Sequence, residues 1–194
     1  MINRIIGVLT LNVNVFEEIE HDENATTEAA MIVAVVAVIS AIGGFLSVQF
    51  GGDAMAQFSE QFGGDVPFPI PTISPIGTAV TSFVGTFVGW ILWSALTYFI
   101  GTNLFKGQAT IGEMLRVIGY AQVPLVLNLV SFIPCLGAII SLVASIWSLV
   151  AGFVAVRQGL DIDNTQTAIT VVISFIIAFI VQLCAIGPIF ALVL

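Results

Sequence analysis

Charge is what this sequence has least of: Asp, Glu, Lys and Arg make up 8% of its 194 residues, against about 25% in ordinary soluble domains. With 58% hydrophobic residues and a mean hydropathy of +1.11, a water-soluble globule is excluded. Basic residues are scarcer still, with only Arg4, Lys106, Arg116 and Arg157 present and a net charge of -8. Nucleic acid is therefore excluded as a partner, because phosphate binding needs clustered Lys and Arg. Histidine occurs once, as His21 between Glu20 and Asp22, and reads as a solvated side chain. The two cysteines, Cys135 and Cys184, lie in apolar sequence without CxxC spacing, so neither a zinc site nor a thioredoxin-like site is expected. They are expected to be unbridged apolar fillers. No histidine lies in an apolar run, which leaves a haem or chlorophyll ligated by intramembrane imidazole unsupported. The expectation is a chain with no cofactor, no metal and no enzymatic activity.

What is present is apolar sequence in long blocks. Residues 29–52, 66–105, 117–156 and 164–194 carry no charge, and a single spanning helix needs about 20 residues. The block 117–156 is twice that length and holds Pro134 and Gly137 near its middle, so it reads as a helical hairpin. The expected fold is all-α: a bundle of five transmembrane helices preceded by a short amphipathic helix. The spans are predicted at about 29–50, 76–103, 114–132, 136–156 and 167–193. Pro124 and Pro188 fall inside spans three and five, where neighbouring groups can re-satisfy the freed backbone.

The domain reading is an N-terminal amphipathic and acidic segment, 1–28, followed by a membrane domain, 29–194. In the first segment Ile2, Ile5, Ile6, Leu9, Val13 and Phe16 recur at helical spacing. Asn14 followed by Glu17 suggests that a second helical turn begins after a break near Thr10. It lacks the form of a cleavable signal peptide, since Asn12 and Asn14 interrupt the apolar run. Residues 51–75, with paired glycines and four prolines, read as a loop with a short helix near 54–62. Five spans put all four Lys and Arg on one face, which the positive-inside rule makes cytoplasmic. The N-terminus is thus expected inside and Leu194 outside.

The only ionisable residues expected at the spans are Glu113 and Arg116, read as a local surface pair. Empty span interiors argue against an ion-coupled pump. Asn128, Gln122 and Gln182 are read as hydrogen-bonding glue between helices. Gly85 and Gly89 make a GxxxG on span two. Gly137, Ser141, Ala144, Ser145, Ser148 and Gly152 line span four with small residues. Small residues let helices approach closely, so Gly85, Gly89, Asn128, Ser141, Ser145, Ser148, Gly152 and Gln182 are the candidate helix-packing or partner contacts. Trp90, Trp93 and Trp147 lie inside spans and read as core packing. The functional expectation is a structural, scaffolding or accessory subunit whose partners are the lipid bilayer and other membrane subunits or a second copy of itself. The alternative is a permease or channel for a neutral or apolar solute, with the polar amides lining its path.

The segment FKGQATIGEMLRVIGYAQVPLVL, residues 105–127, resembles the Yip domain family, named for interaction with Ypt/Rab GTPases. RIIGVLTLNVNVFEEI at 4–19, IPCLG at 133–137 and IWSLVAGFVAVRQGLDID at 146–163 extend the resemblance over most of the chain outside 51–75. It implies five helices and a cytoplasmic N-terminus. Eukaryotic members act in vesicle trafficking through GTPases and one another. This chain is more similar to the short prokaryotic members, which implies a prokaryotic cell membrane.

Overall fold

The computed structural model describes the backbone of residues 1–61, 74–133 and 136–193, with side chains described outside 50–61, 182–183 and 185–193. Two short helices, α1 (Ile2–Leu9) and α2 (Val13–His21), precede α3 (Ala25–Gln61) and α4 (Pro75–Phe105). Then come α5 (Ile111–Ala121), a 3-10 segment (Val123–Val130), α6 (Leu136–Leu160) and α7 (Asn164–Val193). No strand occurs among the described residues. Five stretches are long and apolar enough to cross a membrane: Ala25–Gln49, Pro75–Phe105, Ile111–Val130, Leu136–Leu160 and Asn164–Val181.

Local chemistry sets the boundaries. Ser74 starts α4, its hydroxyl accepting from the Gly77 amide, with Pro75 in the first turn where no amide hydrogen is missed. Thr110 and Glu113 form a reciprocal capping box at the head of α5. The ends at Leu11, Lys106 and Asp161 turn through the left-handed region, at φ 56°, 58° and 52°.

Three expectations change. The break after α1 is real, but Asn12 rather than Asn14 caps α2: its side chain accepts from the Asn14 amide. Gly51 and Gly52 do not open a loop, because α3 runs through them to Gln61; the remaining residues of the expected loop, 62–73, lie outside the described ones. A glycine within a helix costs only about 1 kcal/mol relative to alanine, so two of them do not have to end it. Span three is only half α-helical. Pro124 cannot donate to the carbonyl four residues back, so the chain tightens to 3-10 from Val123.

The core gathers at one end, the N-terminal face, which carries α1, α2 and residues 106–110 and 161–163. There Phe16 and Ile19 of α2, Met114, Val117, Ile118 and Tyr120 of α5 and Leu160 of α6 are fully buried in one cluster. Toward the opposite face the helices carry exposed apolar side chains such as Leu142, Ile146, Phe175 and Phe179, the surface a bilayer covers.

Candidate functional site

An intramembrane cavity and a polar cluster on the N-terminal face stand out. The cavity, about 520 Å³, lies between α3, α4, α6, α7 and the end of α5, and is lined among others by Ser40, Thr81, Gly85, Gly89, Trp93, Gln122, Ser148 and Phe175. Its inner wall is Trp90, which is 8% exposed and whose indole nitrogen donates to the Leu115 carbonyl at 3.0 Å. Beyond Trp90 stands the buried cluster of Met114, Val117, Tyr120 and Leu160, so the cavity is closed toward the N-terminal face.

Its hydroxyls are largely committed as donors. Thr81 donates to the Gly77 carbonyl at 2.8 Å and Thr86 to that of Ser82 at 2.8 Å, each bonding its own helix. Ser148 has a specific task. The Leu125 amide bonds Gln122 and Pro124 has no amide hydrogen, which leaves the Ala121 carbonyl for the Ser148 hydroxyl, 2.9 Å away across the α5–α6 contact. None of the described lining residues has a titratable side chain. Among the described residues no three His, Cys, Asp or Glu side chains are grouped to hold a metal.

The residues singled out by sequence distribute as follows. Gly85, Gly89 and Ser148 line this cavity. Gly152 sits under the Trp93 ring, 2.5 Å from where its Cβ would stand. At Gly85 an added Cβ meets no atom of the described residues within 4 Å. The Asn128 side-chain oxygen is buried without a hydrogen bond. Ser141 is half-buried and Ser145 exposed on the outer side of α6. The side chain of Gln182 and all of Cys135 lie outside the described residues, while Cys184 is free and exposed.

The polar cluster was not legible. Arg4 on α1 donates to Glu18 at 2.9 Å, to Asp22 at 2.7 Å and to Glu28 of α3 at 3.2 Å, and the Tyr120 hydroxyl donates to Glu28 as well. The Asp22 hydrogen bond holds the guanidinium above its ordinary pKa and the carboxyl of Asp22 below its own. The expected Glu113–Arg116 surface pair does not form. The Glu113 carboxylate is taken by the Thr110 amide at 2.6 Å. Arg116, 7% exposed, donates twice to the Glu20 carbonyl of α2, at 3.2 and 2.5 Å, and to the Thr26 hydroxyl at 3.3 Å. The one available signal was that Arg4 is the lone cation among six carboxylates in the first 28 residues.

Glu20 is 6% exposed, and burial pushes its carboxyl up to about 7 from 4.5. His21 opposes this, whereas Asp161, Glu113 and Glu17 reinforce it. The folded chain holds the Glu20 proton to higher pH than the unfolded chain, so stability contributed at low pH is lost as pH rises from 4.5 through 7. Glu20→Gln should therefore stabilise the protein at pH 8 by on the order of 2 kcal/mol and leave it nearly unchanged at pH 4. Thermal unfolding in detergent at both values checks this; an equal change at the two would show that Glu20 does not titrate in this window.

A family model, the Yip1 domain, matches residues 6–186. No curated protein and no solved structure matches the chain. Since that match takes in α2 through most of α7, including the Arg116 tie and the cavity, the chain belongs to the Yip1 domain family.

Proposed function

We propose that this membrane protein is a non-enzymatic structural or accessory component, acting through helix and lipid contacts rather than by passing a solute. The observation that carries the reading is the closed inner end of the cavity, where Trp90 is bonded to the Leu115 carbonyl above a fully buried layer. Met114, Val117 and Leu160 fill that layer with apolar side chains, and the Tyr120 hydroxyl within it is already bonded to Glu28. The exposed strip of α6 that carries Leu142, Ser145 and Ile146 is the proposed seat of a neighbouring helix, because a small residue between large ones admits close approach. The N-terminal face is proposed to be cytoplasmic in a prokaryotic cell membrane, on the segregation of Lys and Arg.

Purification in mild detergent followed by mass spectrometry should recover a second membrane protein, or a second copy, in fixed ratio to the chain. In sealed liposomes glycerol and urea should enter no faster than into protein-free ones. A flux above that background that Gly85→Trp abolishes would transfer the assignment to a permease.

A further inference from the structure

We propose that the N-terminal face binds one membrane lipid with an ammonium-bearing headgroup, its chain between α1, α3 and the 3-10 segment. This is independent of the role proposed above. Two crevices meet at Met1. The first, about 430 Å³, is walled by Ile5 and Leu9 of α1, Ile32 and Val35 of α3, Leu127 of the 3-10 segment and Trp147 of α6. That volume falls within the range of ligand pockets, about 300–1,000 Å³. Ile32 and Val35 lie seven and ten residues into α3, a depth of roughly 10–15 Å at the α-helical rise. This is hydrocarbon depth.

The second crevice, about 370 Å³, is lined by Asn3, Arg4, Val15, Glu18, Asp22 and Glu28. A groove apolar at depth and polar at the interface fits an amphiphile whose headgroup and chain are joined, and a membrane lipid is one by construction. Charge selects the headgroup. Each nitrogen of the Arg4 guanidinium is already engaged by a carboxylate, so it has little left for a phosphate. Three carboxylates face Arg4 and the Met1 amine, which stands 3.6 Å from Glu28. One negative charge is therefore in excess, and the Glu18 side chain, 58% exposed, is the carboxylate most open to a cation. An ammonium fits this cup, whereas a purely anionic headgroup meets like charge.

The test is native mass spectrometry of the full chain in detergent, with phosphatidylethanolamine or phosphatidylglycerol of identical chains added. One phosphatidylethanolamine should be retained per chain, about tenfold more than phosphatidylglycerol. Glu18→Gln should erase the preference between headgroups without expelling the lipid, because Asp22 and Glu28 still hold Arg4. Val35→Trp, at a side chain 53% exposed, should expel both lipids by filling the groove. Should that variant unfold, Leu127→Trp, at a side chain 44% exposed, blocks the same groove from the other wall. Equal retention of the two lipids by the unaltered chain, or unchanged retention in a folded groove-filled variant, overturns the proposal.

Discussion

Arg116→Leu is expected to cost about 3–4 kcal/mol and to release α2 from the bundle, because it strips a buried donor from partners that cannot reach water. The guanidinium bridges α5 to the Glu20 carbonyl at the end of α2 and to Thr26 at the start of α3, two elements the sequence separates from it by about 90 residues. Leucine supplies the volume but none of the donors, which leaves the Glu20 carbonyl buried and unpaired. Arg116→Lys should retain one bond and lose less, since an ammonium lacks the planar fork that serves two acceptors. Thermal unfolding in detergent gives the size of the loss, and proteolysis between α2 and α3, at Asp22 to Asn24, gives its place. A chain that melts as before and resists cleavage there would show that Phe16 and Ile19 hold α2 without the arginine.

How far the fold could be read from sequence follows from which forces act locally. Spans need only a run of apolar residues, so five were legible, and the alternation of five spans placed Arg4, Lys106, Arg116 and Arg157 at one face. The tightening after Ala121 was half legible: Pro124 announced a disturbance, but whether the chain kinks or narrows to 3-10 depends on whether another helix can satisfy the freed carbonyl, and Ser148 lies 27 residues away. The continuation of α3 through Gly51 and Gly52 was not legible, because a glycine pair before a proline-rich stretch reads as a helix end although each glycine costs only about 1 kcal/mol. For the site, Glu113 and Arg116 were noticed without their partners, and the cluster of Arg4, Glu18, Asp22, Glu28 and Tyr120 was not singled out. Arg116 and Glu113 stand at i and i+3, the spacing of a surface pair, yet the capping box claims the glutamate and α2 claims the arginine. Arg4 and Glu28 lie on different helices, and no periodicity links them.

Glycine at span contacts gives the second large effect, and it sets Gly119 apart from the GxxxG motif of span two. Gly119 carries a helix crossing between rigid neighbours: an added Cβ would stand 2.8 Å from the Ala29 methyl and 3.1 Å from the Trp90 indole nitrogen. Neither neighbour is the free end of a flexible chain. Ala29 is fixed to the α3 backbone, and Trp90 is held by its bond to the Leu115 carbonyl. Gly119→Ala must therefore push α3 from α5 or break that bond, and the expected cost is about 2 kcal/mol, within the range for overpacking a close contact. At Gly85 the same methyl meets no described residue within 4 Å, so Gly85→Ala should be neutral or stabilise by up to about 1 kcal/mol through helix propensity. The contrast needs no absolute scale: in one detergent, the melting temperature of Gly119→Ala should fall by several degrees while that of Gly85→Ala holds or rises, and tryptophan fluorescence should shift only in the former. If Gly85→Ala proves the more damaging of the two, the span-two glycines face a partner helix from another subunit, and the small-residue motif marks an interface after all.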